Sequence, residues 1–105
     1  MARGAAEIVA SREPTHPGEL LGGTVIPATG LRVSEVADRL RVSRQTLHAV
    51  VAKRSRVTPD MALRLGRMFG NSAAFWANMQ TNHDLWQAGQ RNAEVLASIE
   101  RVTAA

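Results

Sequence analysis

The apolar side chains in the central part of the chain recur at helical spacing. In residues 33–40 they fall at i, i+3, i+4 and i+7, and in residues 47–51 at i, i+3 and i+4, so each set forms one stripe on a helix. The stripes consist of Val33, Val36, Ala37 and Leu40, and of Leu47, Val50 and Val51. The period-two alternation of a half-buried strand is absent from the sequence. The pattern therefore predicts two short amphipathic helices joined by a tight turn in an all-α chain.

Residues suited to helix ends divide the rest of the sequence into further helices. Pro17 and Glu19 fit the first turn of a helix that ends between Pro27 and Gly30. Apolar side chains at helical spacing in residues 92–102 predict a sixth helix or a frayed tail. The N-caps of the third, fourth and fifth helices are predicted to be Ser43, Thr58 and Ser72.

The length and composition of the chain limit the possible domain organisation. A chain of 105 residues can bury one hydrophobic core but not two. We predict a five-to-six-helix domain over residues 14–88, preceded by an N-terminal arm at residues 1–13 and followed by a C-terminal helix or tail at residues 89–105. The lack of cysteine excludes disulfides, cysteine-ligated zinc and thiol nucleophiles. No stretch approaches the ~20 apolar residues of a membrane span, so we expect a soluble cytoplasmic protein.

Positive charge is concentrated around the predicted helix pair. Thirteen Lys and Arg against nine Asp and Glu give a net charge of +4, which favours a polyanionic partner. No acidic residue lies between Arg39 and Arg56. A basic run alone is equally typical of a solvated helix face. Here it coincides with two short helices and a tight turn, which is the layout of a DNA-binding helix-turn-helix.

The second helix of the pair is predicted to read the bases of double-stranded DNA. A recognition helix enters the major groove by its N-terminal end and reads base edges with side chains that face away from the core. Arg44 can donate two hydrogen bonds to guanine, and Gln45 can pair in the same bidentate way with adenine. For His48, a plain solvent-facing position is an equally good interpretation. The predicted base-reading residues are Ser43, Arg44, Gln45, Thr46, His48 and Ala49.

Residues at the rim of this surface are predicted to contact DNA phosphates. Such contacts fix the position of a protein on the duplex but do not select its sequence. The candidates are Ser34, Arg39, Arg41, Lys53, Arg54, Ser55 and Arg56.

The predicted fifth helix carries three of the four aromatic side chains. An apolar stripe of this kind either packs into the core of its own domain or contacts a partner, because aromatic residues and methionine are enriched at interfaces. Both interpretations stay open from the residues alone. In the second case the dimer interface comprises Phe75, Trp76, Met79 and Trp86.

The sequence offers little that would support catalysis or metal binding. His16, His48 and His83 are scattered, and no metalloprotease, phosphate-cradling or nucleophile-elbow motif occurs. His83 and Asp84 are adjacent, and neighbours on a helix point about 100° apart, which disfavours a shared metal. We predict a non-enzyme without metal or cofactor.

Four segments of the sequence resemble the HigA-type antitoxins, a branch of the phage-repressor-like helix-turn-helix family. They are HPGELL at 16–21, VSRQTLHAVV at 42–51, TPDMALRLGRMFG at 58–70 and SAAFWANMQTNHDLW at 72–86. The last is the most specific, because general phage-type repressors lack its FW and DLW elements. The resemblance implies a homodimer that binds a palindromic operator at its own promoter and inactivates a cognate toxin, a RelE-like mRNA endonuclease. It also implies that the region after the recognition helix supplies the dimer contact.

The helix pair departs from the family pattern at a few positions. Arg41 stands where the turn usually has glycine, and a left-handed conformation there would cost about 1–2 kcal/mol. Arg32 and Val33 replace the usual polar cap and glutamine at the start of the second helix, and Lys53 stands where glycine commonly closes the third. One alternative is therefore a toxin-binding module whose DNA binding has decayed. Another is a plain repressor without a toxin partner.

Overall fold

The structure is a computed structural model that describes residues 12–103 of the chain. Within those residues it is all-helical and contains no strand, which confirms the predicted fold class. Residues 12–103 contain six helices in chain order, the first of them continuous through a short π-helical turn. They are α1 (residues 17–29), α2 (Val33–Leu40), α3 (Arg44–Val51), α4 (Pro59–Phe69), α5 (Ala73–Arg91) and α6 (Ala93–Ser98).

Helix α1 changes its winding in the middle, which the sequence pattern did not predict. Pro17–Leu20 and Ile26–Thr29 are α-helical, and Leu21–Val25 between them forms a π turn. Pro27 lies inside the helix and does not end it. A proline ring would strike the carbonyl four residues earlier in a regular α-helix, and the wider turn before Pro27 relieves that contact. The helix ends at Gly30, which adopts φ 73°.

The predicted N-caps begin their helices as expected. The hydroxyl of Ser43 accepts a hydrogen bond from the Thr46 amide at 3.0 Å, and that of Thr58 accepts from the Met61 amide at 3.2 Å. Ser72 caps α5 in the same way, through the Phe75 amide. Each hydroxyl satisfies a backbone donor that the first turn of a helix leaves unpaired.

One hydrophobic core joins the first five helices. It is composed of Leu21, Ile26, Val36, Ala37, Leu40, Leu47, Val50, Val57, Met61, Ala62, Leu65 and Trp76. Gly18 lies where α1 meets the last turn of α3, and a Cβ there would come within 1.9 Å of the Val50 carbonyl oxygen. Only glycine therefore allows α1 to pack this closely on α3.

Trp76 belongs to this core, and the prediction that it lies in a dimer interface is wrong. Its side chain is fully buried, and its indole Nε1 donates a hydrogen bond to Asn71 Oδ1 at 2.8 Å. No part of the ring reaches the surface. The aromatic stripe is therefore divided: Trp76 packs inward, whereas Phe75 is 42% exposed and Met79 and Trp86 are half-buried.

The two ends of the described chain differ in their packing. Glu13 and Pro14 lie against α5, where the Pro14 carbonyl oxygen is 2.9 Å from His83 Nδ1 and Glu13 accepts a 3.4 Å hydrogen bond from Gln87. Residues 1–11 of the predicted arm lie outside the described residues. At the other end, all residues from 91 to 103 are exposed. The C-terminal segment is thus a helix over Ala93–Ser98, followed by residues without regular structure.

Candidate nucleic-acid interface

Helix α3 presents its polar residues to solvent and its apolar residues to the core. Leu47 and Val50 are buried, and Val51 is half-buried. On the opposite face Arg44, Gln45 and His48 are exposed, and no other described segment covers them. The helical spacing of the apolar residues thus determines which side chains can meet a ligand.

The exposed face of α3 and the following loop form a shallow groove. Its lining residues are Ser43, Arg44, Gln45, His48 and Arg54. The loop turns back on the helix because the amides of Arg54 and Ser55 both donate to the Ala49 carbonyl, at 2.8 and 3.1 Å. This turn places Arg54 beside the predicted base-reading residues. The groove therefore offers two guanidinium groups, a carboxamide and an imidazole on one surface.

The remaining predicted base-reading residues are less available than these. Ser43 Oγ accepts from the Thr46 amide and lies 2.8 Å from Thr46 Oγ1, so both hydroxyls take part in capping α3. Ala49 is half-buried. Side chains that can reach a base edge without breaking a contact are thus mainly those of Arg44, Gln45 and His48.

The turn between α2 and α3 keeps its left-handed conformation although it lacks glycine. Arg41 has φ 64° and ψ 40°, and its guanidinium Nη1 donates to the Asp38 carbonyl at 2.8 Å. Arg64 reaches the turn from α4 and donates through Nη1 to the carbonyls of Leu40 and Arg41, at 2.8 and 3.2 Å. Lys53 closes α3 with φ 64°, also left-handed. The turns at Arg41 and Lys53 are thus both left-handed, although neither residue is the glycine that is usual in the family.

The N-cap of helix α2 is Arg32, whose side chain cannot accept a hydrogen bond from the first turn, and Glu35 supplies a capping contact instead. Its Oε1 accepts hydrogen bonds from the Arg32 amide at 2.9 Å and from Arg32 Nε at 3.3 Å. The backbone hydrogen bond from Arg32 lowers the pKa of Glu35 below its ordinary value. The replacement at Arg32 therefore leaves the start of α2 in place, with Ser34 half-buried beside it.

The predicted phosphate contacts differ in whether their side chains already have a partner. All of them except the half-buried Ser34 are exposed, and Arg41 donates to the Asp38 carbonyl as described above. Lys53 Nζ lies 3.5 Å from Glu19 Oε1, and Arg56 Nη2 donates to Asp84 Oδ2 at 2.6 Å. These two cations are already paired with carboxylates of the same chain, which the sequence did not reveal.

Comparison with known proteins identifies the family. No family model matches the chain. It is 35% identical over 95 residues to the uncharacterized HTH-type transcriptional regulator YbaQ of Escherichia coli K12, a match that spans 89% of this chain and 84% of YbaQ. The Pseudomonas aeruginosa antitoxin HigA, solved with the higBA promoter, superposes with a TM-score of 0.81 at 34% identity, over 86% of this chain and 99% of HigA. The chain belongs to the HigA-type antitoxins. The antitoxin GraA, solved in complex with its operator, also matches, with a TM-score of 0.81 and 34% identity over 89% of this chain and 95% of GraA.

In this HigA-type chain, sequence reasoning missed a polar network that joins the loop after α3 to α5. Gln80 is buried; its Oε1 accepts from the Val57 amide at 2.7 Å, and its Nε2 donates to Asp84 Oδ1 at 2.9 Å. Burial raises the pKa of Asp84, but the hydrogen bonds from Arg56 and Gln80 outweigh it and lower that pKa. Gln80 follows Trp76 by four residues and therefore lies on the same face of α5, where its polar side chain gives no sign of a partner from the sequence alone.

Two buried histidines adjoin this network. His16 caps α1, since its Nδ1 accepts from the Gly18 amide at 2.9 Å, and its ring meets that of His83 edge to face at 4.9 Å. Burial, and then the nearby His83, lower the pKa of His16. His83 Nε2 lies 3.7 Å from Glu13 Oε2. Among residues 12–103, no group of three or more His, Cys, Asp or Glu is arranged to hold a metal ion, and no helix is long and apolar enough to cross a membrane.

Proposed function

We propose that this chain is an antitoxin that binds operator DNA as a dimer through its helix-turn-helix, represses its own operon and neutralises a RelE-like mRNA endonuclease toxin. One observation carries the DNA-binding part of the proposal: Arg44, Gln45 and His48 are exposed on one face of α3, whose opposite face is anchored in the core. Support also comes from the relatives HigA and GraA, which were solved with promoter or operator DNA.

The base-reading step follows from the chemistry of the groove. When the N-terminal end of α3 enters the major groove, Arg44 donates two hydrogen bonds to guanine O6 and N7, and Gln45 pairs with adenine N6 and N7. Each bidentate contact discriminates against a wrong base by about 1–3 kcal/mol. His48 supplies a further donor to a base or a phosphate.

The phosphate contacts position the helix on the duplex. Arg39 and Arg54 are exposed and can bind phosphates directly. Lys53 and Arg56 exchange Glu19 and Asp84 for phosphate oxygens when DNA binds, so their net contribution to affinity is smaller than that of an unpaired cation.

The dimer contact lies on the exposed part of the α5 stripe. Phe75, at 42% exposure, is the most accessible of the predicted interface residues outside the core, and the half-buried Met79 and Trp86 lie beside it on the stripe. A two-fold dimer presents two copies of α3 to successive major grooves, with half-sites about 34 Å apart.

A fluorescence anisotropy titration tests the proposal. A duplex from the region upstream of the chain's own gene is compared with a scrambled duplex of the same length and composition, at two salt concentrations. We expect preference for the upstream duplex and a slope of log K against log salt of roughly −5 to −7, if a dimer engages six to eight phosphates. Equal affinity for the two duplexes would contradict operator recognition and favour the decayed toxin-binding module.

The toxin part of the proposal is tested separately. The neighbouring gene product is co-expressed with this chain, and the chain alone carries an affinity tag. Co-purification, together with loss of the neighbour's mRNA cleavage in the complex, is the expected result. A neighbour that does not co-purify would leave a plain repressor as the function.

A further inference from the structure

The turn between α2 and α3 holds a non-glycine residue in the left-handed region. Arg41, at φ 64° and ψ 40°, adopts a conformation that residues other than glycine, asparagine and aspartate rarely take. Arg44, a predicted base-reading residue, follows only three residues later. A shift of the turn would therefore move the N-terminal end of α3, which enters the major groove in the proposed complex.

One side chain from another helix holds this turn. Arg64 of α4 donates through Nη1 to the carbonyl oxygens of Leu40 and Arg41, at 2.8 and 3.2 Å. Its Nε donates to Asp60 Oδ2 at 2.8 Å, which fixes the plane of the guanidinium group. Arg64 thus contacts two successive carbonyls at the end of α2, where a helix leaves its acceptors unpaired.

We propose that Arg64 is a positioning residue for operator recognition. It keeps the strained turn in place and so sets the direction in which α3 projects its base-reading side chains. Bidentate readout tolerates little displacement, because hydrogen bonds weaken steeply with distance and angle. This inference rests on the proposed function for its DNA part, and it has a structural consequence that needs no DNA.

The structural consequence is measured by amide hydrogen exchange on the free protein. The Arg41 amide donates to the Asp38 carbonyl at 3.2 Å and the Val42 amide to the Ala37 carbonyl at 3.0 Å, so both report on the turn. We expect Arg64→Gln to accelerate their exchange about tenfold. Arg67→Gln is the matched control, because it removes the same charge from an exposed position one turn along α4. Unchanged exchange in Arg64→Gln would overturn the inference.

The functional consequence is measured on DNA that the unmodified chain selects from a random pool. We expect Arg64→Gln to lower the ratio of affinities for selected and random duplexes about tenfold, whereas Arg67→Gln weakens both equally and preserves the ratio. Arg64→Lys retains the charge but only one donor nitrogen, so its affinity ratio should lie between those of Arg64→Gln and Arg67→Gln, with an unchanged circular dichroism spectrum. Equal loss on both duplexes in the Arg64 variants would overturn a positioning role.

A double variant tests whether Arg64 acts through the turn. Glycine adopts the left-handed conformation without strain, so Arg41→Gly should reduce the effect of Arg64→Gln on the affinity ratio to less than about threefold. An undiminished effect in the Arg41→Gly background would overturn the inference. If no selected duplex emerges for the unmodified chain, the proposed function fails, and the exchange measurement still decides the role of Arg64 in the turn.

Discussion

Arg44 and Arg54 line the same groove but have different roles in the proposed complex. Arg44 lies on the first turn of α3 and faces the base edges, whereas Arg54 lies in the loop where a phosphate would run. We expect Arg44→Ala to cost about 1–3 kcal/mol on the operator and to relax its preference at one base pair. Arg54→Ala should weaken binding to all sequences about equally and flatten the salt slope by about one unit.

These two substitutions remove the same charge, so each serves as the control for the other. Affinities for the operator, for single-base variants of it and for random DNA are measured at several salt concentrations. If both variants changed specificity by the same factor, the assignment of bases to Arg44 and phosphate to Arg54 would be wrong.

His16 makes the stability of the fold depend on pH. Burial and the neighbouring His83 lower its pKa below the ordinary 6.5, so the unfolded chain binds a proton more readily than the folded one. The stabilisation is complete above pH ~6.5 and is lost as the pH falls below it, towards the lowered pKa. We expect the melting temperature to fall by a few degrees between about pH 7 and pH 5, measured by circular dichroism.

Replacing His16 with asparagine isolates this effect. Asparagine offers the Gly18 amide an N-cap acceptor but does not titrate in this range. His16→Asn should therefore flatten the dependence of melting temperature on pH, and the exposed control His48→Gln should leave it unchanged. An identical slope in His16→Asn would assign the pH dependence to other groups.

At the scale of the helices, local signals in the sequence predicted the elements, and tertiary contacts decided what the sequence could not show. Ser43, Thr58 and Ser72 begin their helices as predicted, because an N-cap acts on amides only three residues away. The pairing of Arg56 with Asp84 joins residues 28 apart, and that of Arg64 with the turn joins residues 24 apart. No local rule reports such contacts.

In the candidate DNA interface, too, local patterns could be predicted from the sequence and tertiary contacts could not. Exposure of Arg44, Gln45 and His48 could be predicted, because the periodicity of Leu47 and Val50 fixes which face of α3 turns outward. The burial of Trp76 could not be separated from an interface, because aromatic side chains serve both purposes. Gln80 was missed because a polar residue on an apolar face becomes visible only when its partner, the Val57 amide, is known.

The contact between the loop after α3 and α5 opposes DNA binding in our proposal. Asp84 binds Arg56 through a 2.6 Å hydrogen bond, and its negative charge offsets the positive charge that Arg56 offers to a phosphate. We expect Asp84→Asn to raise affinity for all DNA sequences roughly three- to tenfold at low salt and to steepen the salt slope by about one unit. Glu94→Gln on the exposed α6 is the charge-matched control. Equal gains in both variants would mean that net charge alone is responsible.

At the scale of the whole molecule, exposed apolar residues are concentrated towards the C-terminal end. Phe75 and Leu85 of α5 are 42% and 65% exposed, and Val95, Leu96 and Ile99 are each more than half exposed. The described chain is elongated, at 53 × 25 × 21 Å, and these exposed apolar side chains belong to its last two described helices and the residue that follows them. Exposed apolar patches on small domains are typical of sites where another chain binds.

The proposed dimer assigns that surface to a second copy of the chain. Sedimentation equilibrium should give about twice the chain mass of 11.3 kDa for the unmodified chain. Phe75→Glu places a charge in the proposed interface and should shift the equilibrium to the monomer, because an unpaired buried charge is costly. Leu63→Glu is the matched control, since Leu63 is 65% exposed on α4 and lines a groove with Arg39 and Leu40 of α2. A monomer should also bind a two-half-site duplex at least tenfold more weakly, because it loses the linkage between half-sites. If Phe75→Glu and Leu63→Glu had the same effect on mass, the dimer contact would have to lie elsewhere on the chain.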